Sequence, residues 1–202
     1  MVAPFISYGW SLKDEIISAH GDDVYRNSTF LGVAVHKGLM TVAEYLLQCG
    51  ADPNHYMSIL RFPETEMSQA ARLNDIDMLR LLRKYGGRVH GNMAMHSAAS
   101  EGSMQAMDWL VSEGAQVGEV VRTGDYMTLL EEGEAARGRE ICRYGTALHS
   151  AASGGSIVAA EYLLERGVSK DSTNSQGDTA VDHAEISGQP EVAAFIKAWK
   201  YF

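Results

Sequence analysis

Thr146-Ala-Leu-His-Ser-Ala-Ala152, followed by Gly155, is the stretch from which the fold can be read, because it has a near copy upstream. Met93-Ala-Met-His-Ser-Ala-Ala99, followed by Gly102, repeats it, and each continues into an amphipathic run, IVAAEYLLERG in one and MQAMDWLVSEG in the other. Twelve residues separate the two glycines of each unit, Gly102 to Gly114 and Gly155 to Gly167. The interval recurs as Gly38 to Gly50 and, with asparagine replacing the first glycine, as Asn74 to Gly86. Self-similarity at a fixed period is the mark of stacked supersecondary units, none of which can bury its apolar face alone.

These units resemble the ankyrin repeat, whose pattern is T-P-L-H-x-A-A-x-x-G, a leucine-rich second helix, then G-A-D-x-N. The first full unit reads Thr29-Phe-Leu-Gly-Val-Ala-Val35 and closes with Gly50-Ala-Asp-Pro-Asn54. The second reads Thr65-Glu-Met-Ser-Gln-Ala-Ala71 and closes with Gly86-Gly-Arg-Val-His90. The last, Thr179-Ala-Val-Asp-His-Ala-Glu185 with Gly188, runs to the chain end, and Glu15-Ile-Ile-Ser-Ala-His-Gly-Asp-Asp-Val24 looks like the second half of an incomplete opening unit. The resemblance implies an all-α solenoid of helix-turn-helix units joined by β-turn fingers. Paired alanines such as Ala98-Ala99 and Ala151-Ala152 are expected to let first helices approach closely. Tyr45-Leu46-Leu47 and Tyr162-Leu163-Leu164 supply bulk to the second helices. Gly50, Gly114 and Gly167 stand where a helix ends in a left-handed residue.

The expected organisation is one domain over 1–202, with an incomplete N-terminal capping unit (1–27), repeats at 28–57, 58–91 and 92–116, an insertion at 117–144, a fourth repeat at 145–177 and a C-terminal capping repeat at 178–202. From closing glycine to the next threonine position the family spacing is about twelve residues. Here Gly167 to Thr179 is twelve, Gly86 to Met93 is seven, Gly50 to Thr65 is fifteen and Gly114 to Thr146 is thirty-two. The insertion is therefore the most distinctive feature. Tyr126, Leu129 and Leu130 lie at helical spacing and the charges from Glu131 to Glu140 suit a solvated turn. Two readings of it stand side by side: a segment packed over its own finger, or one that overhangs the concave groove and governs access to a partner.

Hydrophobic residues make up 46% of the chain, and the formal net charge is −9. That composition supports a continuous core and sets a repulsive field against phosphate backbones and anionic lipid, so nucleic acid is not an expected partner. No run approaches the length of a membrane span, and Met1 to Glu15 has no basic start, which predicts a soluble protein of the cytosol or nucleus. Cys49 and Cys142 are far apart and outside any metal spacing.

His96 and His149 hold the fourth position of the T-P-L-H motif, where the family uses the imidazole to bond neighbouring turns. No histidine has a second ligand at metal spacing, no G-x-S-x-G or comparable nucleophile setting is present, and Gly154-Gly155 falls inside the repeat pattern, so neither metal, cofactor nor catalytic residue is expected. Any activity would have to combine residues from several repeats. The resemblance implies a protein partner bound by finger tips and the exposed side of the first helices. Position by position this surface comprises His55, Tyr56 and Met57, then Gln69 and Arg72, Ser97 and Glu101, and His183, with Tyr126, Arg143 and Tyr144 from the insertion. The alternative is a small molecule, or an unconventional reaction, in a pocket between residues 117–144 and the groove.

Overall fold

The computed structural model describes residues 29–59, 62–91, 93–120 and 145–200, with 56–59 and 62–64 described as backbone. Those residues form five helix pairs: α1 (Phe30–His36) with α2 (Met40–Gln48), α3 (Glu66–Arg72) with α4 (Ile76–Lys84), α5 (Ala94–Glu101) with α6 (Met104–Ser112), α7 (Ala147–Gly154) with α8 (Ile157–Glu165), and α9 (Ala180–Ile186) with α10 (Pro190–Ala198). The odd-numbered inner helices stack in chain order and pack far more closely on one another than the outer ones do, so the array curves towards its inner side. The long finger after Gly50 is an antiparallel hairpin, β1 (Tyr56–Ile59) on β2 (Phe62–Thr65), with Tyr56 opposite Thr65. The expected opening unit at 1–27 lies outside the described residues, as does the insertion beyond Val120.

The close inner packing follows from side-chain size. Ala70, Ala71, Ala98, Ala99, Ala151 and Ala152 are all fully buried, while Leu82, Met107, Leu110 and Leu163 fill the space towards the outer helices. Between α5 and α7 the approach is closer than an alanine allows. A Cβ placed on Gly154 would lie 2.0 Å from the Ser100 carbonyl oxygen. The closing glycines Gly50, Gly114 and Gly167 have φ of 92°, 96° and 83°, the left-handed values expected of them.

The N-caps of the first four inner helices are buried and that of the last is half-buried, so their unpaired N–H groups need partners from the protein. Thr29 Oγ1 accepts from Gly32 N at 2.9 Å. Thr65 and Ser68 cap each other reciprocally, at 3.1 and 2.8 Å, and Thr179 does the same with Asp182. In the fourth unit His149 Nδ1 lies 3.1 Å from both the amide and the hydroxyl of Thr146, and its Nε2 lies 3.2 Å from the Asp178 carbonyl. His96 Nε2 likewise meets the Gly145 carbonyl at 3.1 Å, so both imidazoles bond the neighbouring turn as the resemblance implied. Met93 has no hydroxyl to offer, and His96 Nδ1 is left buried without a partner.

The outer helices are capped across unit boundaries as well. Asn74, the one described non-glycine residue at positive φ (56°), accepts from Ala106 N of α6 at 2.9 Å. Ser103, the N-cap of α6, turns instead to donate to the Arg72 carbonyl at 3.0 Å. Units three and four remain joined across the long connection by Tyr162, whose hydroxyl donates to Asp108 at 2.8 Å while Arg166 stacks 3.4 Å over its ring.

Substituting Gly154→Ala should therefore push the end of α7 off α5 and lower unfolding stability by about 2 kcal/mol, the usual size of a steric overlap that the backbone must relieve. Urea denaturation checks this. An unchanged midpoint would mean that the two helices are not held at this distance.

Candidate interaction surface

Five equivalent positions, each four residues after an inner-helix N-cap, lie along the inner side of the stack: Val33, Gln69, Ser97, Ser150 and His183. One turn further on stand His36, Arg72, Ser100, Ser153 and Ile186. The middle of the face is a floor of four half-buried serines, and Ser153 Oγ donates to its own helix at the Ser150 carbonyl. Glu101 is exposed at the edge of that floor, and Ile186 is 60% exposed at its end.

Arg72 is half-buried at the first-unit side of the face. Gln69 departs from its expected exposure, for only 4% of it is accessible. Its Nε2 lies 3.1 Å from His36 Nδ1, and its Oε1 is buried with no hydrogen-bond partner. An amide N–H meeting Nδ1 requires the neutral imidazole. His36 is held below its ordinary value by burial first, then by the Arg72 and Lys37 charges. His183 is half-buried, with Nε2 3.0 Å from Asn174 Nδ2 and its ring edge-on to His149 at 5.3 Å. It therefore braces the last finger as well as facing inwards. His55 is half-buried at the root of the hairpin, its Nε2 without a partner, and Tyr56 and Met57 belong to β1, paired with Thr65 and Glu64. Tyr126, Arg143 and Tyr144 lie outside the described residues.

One residue that sequence reasoning passed over is Glu66. It stands at the second motif position, where the family has proline, and it is fully buried. Thr29 Oγ1 donates to its Oε1 at 2.9 Å, across the boundary between the first two units, and Oε2 has no partner. Burial raises its carboxyl to about 7, against the lowering effect of its hydrogen bonds from backbone and Thr29, with the Asp52 charge adding to the rise. The signal was the departure from the motif, an acid in place of an imino acid, but its burial depends on how two units stack.

Among the described residues no group of three His, Cys, Asp or Glu side chains could hold a metal, and no helix is long and apolar enough to cross a membrane. Gly154 and Gly155 face Ser100 and the Gln189 side chain, so their turn is filled by the protein itself.

Inner helices stacked through alanine, histidines bonding the next turn and left-handed closing glycines define a curved repeat scaffold with one continuous inner face. Family models described as "Ankyrin repeats (3 copies)" and "Ankyrin repeats (many copies)" match residues 31–121 and 129–184, and the chain belongs to the ankyrin-repeat family. Over 190 residues it is also 27% identical to diacylglycerol kinase zeta of Rattus norvegicus. That match takes in 90% of this chain and 18% of the kinase.

Two buried groups give the array opposing responses to acid. Burial lowers His96 to about 4, from 6.5, while Glu66 is raised to about 7, from 4.5. As pH falls from 6.5, the unfolded chain takes up the histidine proton before the folded chain does, which favours unfolding. Over the same window the folded chain already carries the Glu66 proton that the unfolded chain lacks, which favours folding. Replacing Glu66→Gln removes the second contribution. Between pH 6.5 and 4.5 the variant should lose about 2 kcal/mol relative to the wild type, as each unit of pKa shift is worth about 1.4 kcal/mol. Parallel urea midpoints at the two pH values would contradict this.

Proposed function

We propose that this chain is a protein-interaction module that seats a partner on its inner, concave face and finger tips, acting as an adaptor, inhibitor or targeting subunit. Ankyrin repeats are generally protein-interaction modules. The observation that carries the reading here is the contrast between repeated scaffold and unrepeated surface. At the buried positions the inner helices keep alanine, unit after unit, whereas the five equivalent face positions hold Val33, Gln69, Ser97, Ser150 and His183. Packing needs the first regularity, and of the second it uses only Gln69, buried against His36, and His183, which braces the last finger. A face that is uniform serine in its two middle units and differs towards both ends is suited to a ligand that is itself irregular, such as a folded protein surface or an extended peptide. The serine floor leaves room for side chains of the partner, and Arg72 and Glu101 place opposite charges on either side of it for orientation. The kinase chemistry in the name of the rat relative is not assigned to this chain, because the match takes in 18% of that protein.

Partners captured from a cell extract by the wild type should be compared with those held by the double variant Arg72→Glu, Ser97→Glu, whose helicity and unfolding midpoint are matched first. The wild type's specific set should fall at least about ten-fold in enrichment, the effect of losing one central polar anchor. An undiminished set would place recognition elsewhere.

A further inference from the structure

Among the described residues, buried polar atoms without a hydrogen-bond partner collect at the seam between the first two units: Glu66 Oε2, Gln69 Oε1 and, at the root of the hairpin, His55 Nε2. Glu66 and Gln69 stand three residues apart on α3, neighbours on one side of the helix, and both reach across the seam to α1. Glu66 Oε1 accepts from Thr29, the N-cap of α1, and Gln69 Nε2 meets Nδ1 of His36, the last residue of that helix. The two atoms left over on α3 are both acceptors when the acid is ionised, so neither can satisfy the other. A proton on Glu66 Oε2 changes this, because a neutral carboxyl has an O–H to donate and the amide oxygen of its helix neighbour can accept it.

We propose that Glu66 is held as the neutral acid and donates to Gln69 Oε1, closing a hydrogen-bonded clamp of Thr29, Glu66, Gln69 and His36 between the first two units, which opens when the Glu66 proton is lost to solvent. One proton then accounts for two of the buried atoms that lack a partner. The clamp also needs His36 neutral, since its Nδ1 accepts from Gln69. Among the described side chains, the Asp52 charge opposes ionisation of Glu66, and the Arg72 and Lys37 charges oppose protonation of His36, so each disfavours the charge that would open the clamp. The other helices packed on α3 carry their charges elsewhere: α4 pairs Asp77 with Arg80 and Lys84 with Glu44, α5 turns His96 towards Gly145, and α6 engages Asp108 with Tyr162. Burial acts in the same direction as the neighbouring charges, raising the carboxyl to about 7 and lowering the imidazole. A raised acid contributes stability that is present at low pH and lost on passing its folded value, so the clamp is closed just below neutrality and opens as pH rises through about 7. It joins two units whether or not a partner occupies the inner face, and so stands independently of that reading.

Carboxyl-carbon NMR on the full chain tests it, following the Glu66 signal assigned through its backbone. In the wild type it should titrate near 7. Gln69→Met keeps the length of the side chain but removes the acceptor, and it should bring the midpoint down by about one pH unit, because the neutral form loses its bond. A midpoint that stays in place or rises in Gln69→Met would overturn the proposal, since burial alone would then hold the proton. Amide exchange reads the clamp itself. Glu66→Gln mimics the neutral acid at every pH, so the ratio of wild-type to variant protection in α1 should fall about ten-fold from pH 6 to pH 8, with α8 and α10 unchanged. An unchanged ratio in α1 would overturn it as well. Should Glu66→Gln not fold, the titration in Gln69→Met still decides.

Discussion

Helices that touch through alanine bring their backbones so close that most of their first turns are buried, and the architecture of this protein is largely the working-out of that constraint. A buried N–H or carbonyl left alone costs as much as the hydrogen bond it lacks. The first turns of the inner helices accordingly carry threonine with serine, histidine or aspartate three residues on, each combination satisfying the turn by a different chemistry. Where the hydroxyl is missing, at Met93, the cost is visible as an unpaired nitrogen on His96. The apolar side chain that replaces it is 5% exposed, so one kind of burial has been exchanged for another.

The outer layer obeys looser rules. Its helices are farther apart and are tied across units by exposed ion pairs, Lys84 with Glu44 at 3.1 Å and Arg83 with Glu113 at 3.0 Å. Such pairs contribute well under about 1 kcal/mol each in water. They set register more than they hold the stack together, and the difference between the two layers gives the array its curvature and hence an inner face that can partly enclose a partner.

Much of this was legible in the sequence. The spacing of glycines located the helix pairs, Ala98-Ala99 and Ala151-Ala152 identified the inner row, and the T-P-L-H resemblance anticipated the bonds of His96 and His149 to Gly145 and Asp178. The additional residues after Gly50 were legible as a longer finger, but their pairing as a hairpin was not. The candidate face was legible only as a row of positions. Gln69 sits in that row, yet its burial against His36 joins residues 33 apart, and Thr29 reaches Glu66 over 37. Contacts of that kind depend on the rotation from one unit to the next, which no pattern within a unit records. Asn74 illustrates the same limit: its place as a glycine substitute was evident, its hydrogen bond from Ala106 was not.

Among the bonds that cross unit boundaries, Thr29 reaches Glu66, Asn54 the Gly86 carbonyl, His96 Gly145 and His149 Asp178 in the next repeat, and Ser103 reaches back to Arg72 in the preceding one. No two of these joints use the same pair of residues. The two histidine joints are alike, each to the backbone carbonyl just before the next unit, so it is the seams of the first units that are keyed to their own neighbours. Excising or reordering the second unit by recombination would leave Thr29 without the buried Glu66 that it bonds and strand a polar group in the interior. A histidine seam that bonds only backbone would accept another unit of its own kind, whereas the Thr29–Glu66 seam would not.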